Sequence, residues 1–180
     1  MNRRVAVAAA LLIVAAATAG YRLLAIWLQP LTLSGGETVL SVPRGESLRA
    51  VLAEAEAKGW IHHARCLGWI ATSLQLDQQM KAGEYQLQEA QTAGAMVRLM
   101  ARGKVIQYAV TLPEGITFRE ALSLIHSHPK TTKSPTDELA RALEDMTGRK
   151  GVVEGLFLPE TWAFSAGDSD IVILRRAHEA

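Results

Sequence analysis

The amino-terminal end of the chain carries an apolar run that has no polar face. Val5 to Tyr21 contains no charged residue, and a second apolar patch runs from Leu23 to Leu28 after Arg22. This length approaches the ~20 residues needed to cross the hydrocarbon core of a bilayer, with the long side chain of Arg22 reaching to the interface. The pattern therefore predicts a transmembrane segment over residues 5–28.

Two kinds of membrane segment fit this run. Ala17-Thr18-Ala19 resembles the cleavage site of a signal peptide, but apolar residues continue past it to Trp27, which favours an uncleaved signal anchor. Basic residues before the span place residues 1–4 in the cytoplasm and the rest of the chain outside. Residues 29–36 include proline, serine and two glycines, and predict a short tether.

Beyond the tether, short runs of alternating and helical periodicity predict an α+β protein. The first group has the order strand, helix, helix, strand. The second group has a helix, a strand and three further helices, one of which opens with the capping box Thr117-x-x-Glu120, so Glu120 is interpreted as structural. The expected elements are Thr38–Val42, a helix capped by Ser47 and ended by Lys58-Gly59, His63–Leu74, Glu84–Leu87, Thr92–Gly103, Val105–Leu112, the helix after Thr117, a helix from Ser134-Pro135 to Gly148, and one starting around Asp168 to Ile171.

One sequence pattern occurs twice. Leu40 to Leu52 resembles Val110 to Leu122, and each copy reads as a strand, a Pro-x-Gly turn and a capped helix. Two copies do not make a solenoid. We interpret the repeat as a shared local structure.

Composition and charge limit the function classes. The length of 180 residues suits one full domain or two small ones. Arg3, Arg4 and Arg22 precede Glu37, the first acidic residue, and leave 16 basic against 18 acidic residues beyond them. Nucleic-acid binding needs clustered Lys and Arg, so no nucleic-acid partner is expected. The single cysteine, Cys66, can form no internal disulfide.

The sequence does not contain the residue patterns that most catalytic and metal-binding sites require. His62-His63 and His126-x-His128 do not have the spacing of a zinc site, and neither a nucleophile elbow nor a phosphate loop occurs, so no metal or cofactor is expected. The remaining candidate is Glu154, which lies among apolar residues and precedes Gly155. Such a carboxyl group is either an edge charge or ion-pair partner, or an acid in a cleft where the glycine leaves room for a ligand.

The segment Glu154-Gly-Leu-Phe-Leu-Pro-Glu-Thr-Trp162 resembles the signature Glu-Gly-x-x-x-Pro-[Asp/Glu]-Thr-aromatic of the YceG-like family, the endolytic murein transglycosylases. The resemblance extends to Val42-Pro43-x-Gly45, Lys81–Tyr85 and Leu112–Thr117, in the order seen in that family. It implies that Glu154 is the catalytic acid/base. Gly155, Phe157, Glu160 and Trp162 are substrate-binding candidates, with core packing an equal alternative for the two aromatic residues.

The same resemblance implies a domain plan and a location. Residues 37–104 would form a LysM-like module with an adjoining helix, and residues 105–180 the first part of a catalytic domain that continues further in family members. The expected place is the bacterial inner membrane, crossed once, with the bulk of the chain outside the cytoplasm. Glycan strands of peptidoglycan, the membrane and a cell-wall synthase are the expected partners.

The expected activity is cleavage of the β-1,4 bond between N-acetylmuramic acid and N-acetylglucosamine in nascent glycan strands, with 1,6-anhydro ends as products. Because the chain is short for this family, it is expected to be either a fragment or a naturally short protein. The alternative is a noncatalytic peptidoglycan-binding or scaffold protein of the cell-wall synthesis machinery. A plain hydrolase is the third reading.

Overall fold

The structure is a computed structural model that describes residues 3–33, 38–148 and 153–180. The tether positions 34–36 and the apolar neighbour Val152 of the signature lie outside the described residues. The chain divides into two compact units, Met1–Lys104 and Val105–Ala180. The elements confirm the α+β class, and are α1 (Arg3–Leu28), β1 (Val39–Val42), α2 (Leu48–Ala57), α3 (Ala64–Ser73), β2 (Gly83–Gln86), α4 (Ala93–Arg102), β3 (Gln107–Thr111), α5 (Phe118–Ser127), α6 (Thr136–Thr147), β4 (Thr161–Ser165) and α7 (Asp170–Glu179).

Helix α1 is long and apolar enough to cross a membrane. The qualifying stretch is Val5–Leu28, 24 residues, and none of its most hydrophobic window is buried by the rest of the protein. Leucine, isoleucine and valine side chains at positions 11–14 are all exposed. An apolar helix without a protein partner along most of its length suits lipid better than water.

The carboxyl end of α1 is packed differently, because its last turn lies against α4. Trp27 is only 8% exposed. A Cβ atom on Gly94 would lie 2.2 Å from the Trp27 ring, so α4 has room for the indole only because residue 94 is glycine. The Arg98 guanidinium lies over the same ring, 5.4 Å from its centroid.

Residues 29–32, which the sequence assigns to the tether, are hydrogen-bonded to the first unit. Three backbone bonds hold them: Ala93 N to Gln29 O at 2.9 Å, Leu31 N to Gln91 O at 2.7 Å and Thr32 N to Trp60 O at 3.0 Å. This part of the chain is therefore packed on the unit. Local composition gives no signal for these bonds, because every partner lies at least 28 residues away.

The predicted strand, helix, helix, strand order is present in the first unit, where β1 pairs with β2 antiparallel and Leu40 lies opposite Tyr85. The helix caps are those expected: Ser47 accepts a hydrogen bond from Ala50 N. The predicted apolar stripe of the second helix ends early, because Leu74 lies beyond α3 and is exposed. The LysM-like identity of this βααβ module stays a prediction.

In the second unit β3 and β4 pair antiparallel, with Val110 opposite Trp162. Strand β4 was not predicted from the sequence. Both copies of the repeat fold as a strand, a turn and a helix, and in the second copy the full capping box between Thr117 and Glu120 is confirmed. The core of this unit lies between the hairpin and α5 and α7, and contains Val110, Leu112, Ala121, Ile125, Phe164, Ile173, Leu174 and Ala177.

A carboxylate joins three segments inside the second unit. Asp170, at the start of α7, is 0% exposed. It accepts hydrogen bonds from Ser134 N at 3.2 Å and Ile171 N at 2.8 Å, and its Oδ2 lies 2.6 Å from His126 Nε2. Burial acts to raise the pKa of Asp170, but the hydrogen bonds from Ser134, His126 and Ile171 outweigh it and hold the pKa below its usual value.

We expect acid to destabilise the second unit through Asp170. A carboxyl group whose folded-state pKa is lowered contributes stability that is complete above the ordinary aspartate pKa of about 3.9, and that is lost as the pH falls through the folded-state value. The free energy of unfolding should therefore be steady near neutrality and fall below about pH 4. Urea titrations followed by the methyl NMR signals of the buried Ile125 and Ile173 measure it.

The control separates Asp170 from the other carboxyl group with a lowered pKa. Hydrogen bonds from the Thr117 amide and hydroxyl lower the pKa of Glu120, which contributes an acid dependence of the same sign. Asp170→Asn should flatten the acid dependence more than Glu120→Gln does. An equal acid slope in the wild type and in Asp170→Asn would contradict the assignment.

Candidate active site

A pocket of about 250 Å³ lies in the second unit, between the β3–α5 connection and the turn before β4. Its volume is below the ~300–1,000 Å³ of most small-molecule sites, so it suits a portion of a longer ligand. The lining combines the two segments that the sequence placed in separate motifs: Leu112, Pro113, Gly115, Ile116, Thr117, Phe118 and Ala121 from one, and Val153, Glu154, Gly155, Phe157 and Pro159 from the other.

Glu154 lines this pocket as an exposed residue of a turn. Its Oε2 accepts a hydrogen bond of 2.9 Å from Phe118 N, the first amide of α5. First-turn amides have no acceptor within their own helix and carry partial positive charge, so they suit a carboxylate. No second hydrogen bond to Glu154 comes from the described part of the chain.

The turn that carries Glu154 needs glycine for its backbone conformation. Gly155 has φ +73°, and the facing Gly115 has φ +77°, both in the left-handed region that favours glycine. A Cβ atom at either position would meet nothing within 4 Å. Space for a ligand beside Gly155 is therefore open, while the positive φ explains the glycine itself.

Residues 156–158, which follow the Glu154 turn, are hydrogen-bonded to the end of α7. Leu158 N donates to Ala177 O at 2.7 Å, and His178 Nδ1 donates to Leu156 O at 2.9 Å. The half-buried Phe157 ring lies 5.4 Å from the Phe118 ring and 6.0 Å from the His178 ring. One face of the Glu154 turn is thus fixed by α5 and the following segment by α7.

The other two substrate-binding candidates do not line the pocket. Glu160 is exposed, and its backbone oxygen accepts a hydrogen bond of 2.9 Å from Leu112 N. Trp162 is half-buried, packs against the core of the second unit and donates from Nε1 to Leu158 O at 3.2 Å. Of the five candidates, the structure brings together Glu154, Gly155 and Phe157, and contact of Glu160 and Trp162 with substrate stays a prediction.

The sequence did not assign Thr117, Phe118 or His178 to the site. The Leu-Pro-x-Gly turn before Thr117 was one signal, because its repeat marks a defined local structure, but nothing local shows that it faces Glu154. His178 carries no signal, since its role depends on packing of α7 against a turn 22 residues earlier. The pair His126 and His128 is used in packing: His126 bonds Asp170, and the His128 ring packs edge-on against Phe164 at 4.8 Å.

Comparison with known proteins establishes the family. The YceG-like family matches residues 40–180, most of the chain, and the chain belongs to that family, a family of murein transglycosylases. A crystal structure of a yceG-like protein from Listeria monocytogenes is similar at 20% sequence identity and a TM-score of 0.39, over 78% of this chain and 53% of that one. The chain thus spans about half the length of that solved relative. No curated protein matches it.

Proposed function

We propose that this chain acts in a membrane-anchored, endolytic peptidoglycan lytic transglycosylase, with Glu154 as the general acid/base. The observation that carries the proposal is the placement of Glu154 in a pocket, with Oε2 bonded to Phe118 N at 2.9 Å and no hydrogen bond to Oε1 from the described residues. Family membership supplies the substrate class, the glycan strands of murein. A carboxylate with one oxygen fixed presents the other in a defined direction, which proton transfer requires.

The proposed reaction breaks the bond between C1 of N-acetylmuramic acid and O4 of N-acetylglucosamine. Protonated Glu154 gives its hydrogen to the departing O4 while positive charge develops on the muramic acid ring. The C6 hydroxyl of the same muramic acid then attacks C1, and its proton returns to the Glu154 carboxylate. The products are a 1,6-anhydro end and a free 4-hydroxyl, so no water is consumed and the enzyme is regenerated.

One carboxyl group is sufficient for this route. Ordinary glycosidases place a second carboxylate to attack the sugar or to activate water. Among the described residues that line the pocket, Glu154 is the single acidic side chain. An attacking hydroxyl that belongs to the substrate has a very high effective concentration and needs no activated water, so a single carboxyl group can serve transglycosylation.

The remaining roles follow from position. Gly155 leaves the approach to Glu154 open, and Phe157 supplies an aromatic edge of the pocket against which a sugar face can pack. Glu160 and Trp162 would contact strand residues further from the cleaved bond. Helix α1 would hold the chain in the inner membrane with residues 1–4 in the cytoplasm, close to nascent strands and to a cell-wall synthase.

The test is the chemistry of the new ends. The protein at its natural length, reconstituted in liposomes, is incubated with uncrosslinked glycan strands, and the products are analysed by mass spectrometry. We expect internal cleavage with 1,6-anhydro ends, each lighter by one water than the reducing end that hydrolysis would give. Reducing ends would assign a hydrolase instead. Sedimentation with peptidoglycan without any cleavage would favour the noncatalytic scaffold.

A further inference from the structure

A second pocket lies in the first unit, where α1 meets the residues that precede α3. It has a volume of about 430 Å³ and no part in the proposed reaction. The lining has three parts: the basic side chains of Arg22, His62 and His63, the apolar side chains of Ala25 and Ile26, and the amide of Gln29. No acidic residue lines it in the described part of the chain.

The walls of this basic pocket are fixed to each other. The Gln29 amide makes two hydrogen bonds with the backbone of His62, accepting from His62 N at 3.3 Å and donating to His62 O at 2.7 Å. These bonds hold the backbone of α1 beside the backbone of the segment before α3. A ligand in the pocket can therefore contact Arg22 and both histidines at once.

The positive charge of the pocket comes from side chains. The first amide of α3, Ala64 N, already donates to Glu56 Oε1 at 3.1 Å, so the end of that helix is occupied. Arg22 is charged at any physiological pH and matches the geometry of phosphate oxygens with two parallel hydrogen bonds. The two histidines add ring nitrogens that can donate hydrogen bonds to an anionic oxygen.

The position of Arg22 along α1 indicates which part of a bilayer would surround the pocket. The apolar stretch Val5–Leu28 has 24 residues, or about 36 Å at 1.5 Å per residue, against a hydrocarbon core of about 30 Å. Its last turn is buried in protein at Trp27. In a bilayer whose headgroups contact the folded module, Arg22 lies about 9 Å before Leu28, at the depth of the lipid headgroups.

We propose that this pocket binds the phosphate of an anionic phospholipid headgroup. Arg22, His62 and His63 contact the phosphate oxygens, while Ala25 and Ile26 contact the glycerol and the first methylenes of the lipid. The mixed lining favours a lipid over free phosphate, which would leave the apolar wall uncovered. The inference rests on the membrane placement of α1 proposed above and is independent of Glu154 chemistry.

The test counts lipids on the purified chain. Full-length protein in detergent is titrated with phosphatidylglycerol or with phosphatidylcholine, and bound lipid is measured by native mass spectrometry. We expect one phosphatidylglycerol per chain, bound at least fivefold more tightly than phosphatidylcholine. Arg22→Gln should lower the phosphatidylglycerol affinity about fivefold, and His62→Gln/His63→Gln should lower it as well. Arg65→Gln is the matched control, because Arg65 is an exposed arginine of α3 outside the lining, and it should change little.

Each other outcome overturns the proposal. Equal affinity for the two lipids shows no anionic selectivity, and an equal loss in Arg22→Gln and Arg65→Gln shows diffuse attraction. Inorganic phosphate that binds as tightly as the lipid and displaces it assigns the site to free phosphate. Alkaline extraction of membranes keeps the two proposals apart: a chain that inserts but shows no selectivity contradicts the lipid site alone, and a chain that does not insert contradicts the anchor.

Discussion

Glu154→Gln is expected to lower the rate of anhydro-end formation by about 10²–10⁴-fold, the usual contribution of general acid/base catalysis. The glutamine oxygen can still accept the hydrogen bond from Phe118 N, so the turn and the pocket should remain. The amide can neither give a proton to the departing O4 nor take one from the C6 hydroxyl. Both halves of the reaction therefore stop, while the substrate contacts are kept. Mass spectrometry of products from the full-length variant measures the loss.

The matched control is Glu160→Gln, which makes the same chemical change six positions away on an exposed residue outside the pocket. It should keep the anhydro product, with at most a weaker affinity for long strands. Peptidoglycan binding by both variants, compared with wild type, shows whether each protein is folded. Anhydro ends formed by Glu154→Gln at the wild-type rate would end the catalytic assignment.

The second large effect is on stability. Asp170→Ala should lower the free energy of unfolding of the second unit by several kcal/mol, about 1–3 kcal/mol for each hydrogen-bonding group that is left without its acceptor. The substitution leaves the amide of Ser134 and the ring of His126 without their acceptor inside the protein. The buried methyl signals of Ile125 and Ile173 in urea titrations measure the change.

An exposed aspartate on α6, Asp145, provides the control for charge and chain effects. Asp145→Ala should change the unfolding free energy by no more than about 0.5 kcal/mol, as surface substitutions do. Asp170→Asn should fall between the two, because it keeps one oxygen acceptor. Equal stability of Asp170→Ala and Asp145→Ala would show that the buried carboxylate does not hold the unit together.

Features set by neighbouring residues could be predicted from the sequence. Ser47, Thr92 and Thr117 each cap a helix through a hydrogen bond to an amide three residues on, so a short window of sequence contains both partners. The same holds for the stops at Gly103 and Gly148, where glycine adopts a left-handed conformation after the last turn. The apolar run of α1 needs no partner to be recognised.

Features set by distant residues could not be predicted. Strand β4 pairs with β3, at least 50 residues earlier. Its sequence contains strand-favouring residues, but five positions are too few to identify a strand without its partner. Glu154 was identified through a family signature, but its bond to Phe118 joins residues 36 apart. Asp170 and His126 are 44 apart, and neither residue type alone indicates burial.

The junction at Trp27 and Gly94 has a mechanical consequence. Transmembrane helices adapt to thinner or thicker bilayers by tilting. The Trp27 side chain at the end of α1 packs against Gly94 of α4, and residues 29–32 are hydrogen-bonded to Trp60, Gln91 and Ala93. The end of this helix is therefore held against the first unit. In the membrane placement proposed for α1, a change in bilayer thickness that tilts this helix would therefore tilt the module with it, so the thickness of the bilayer would set the orientation of the module relative to the membrane surface.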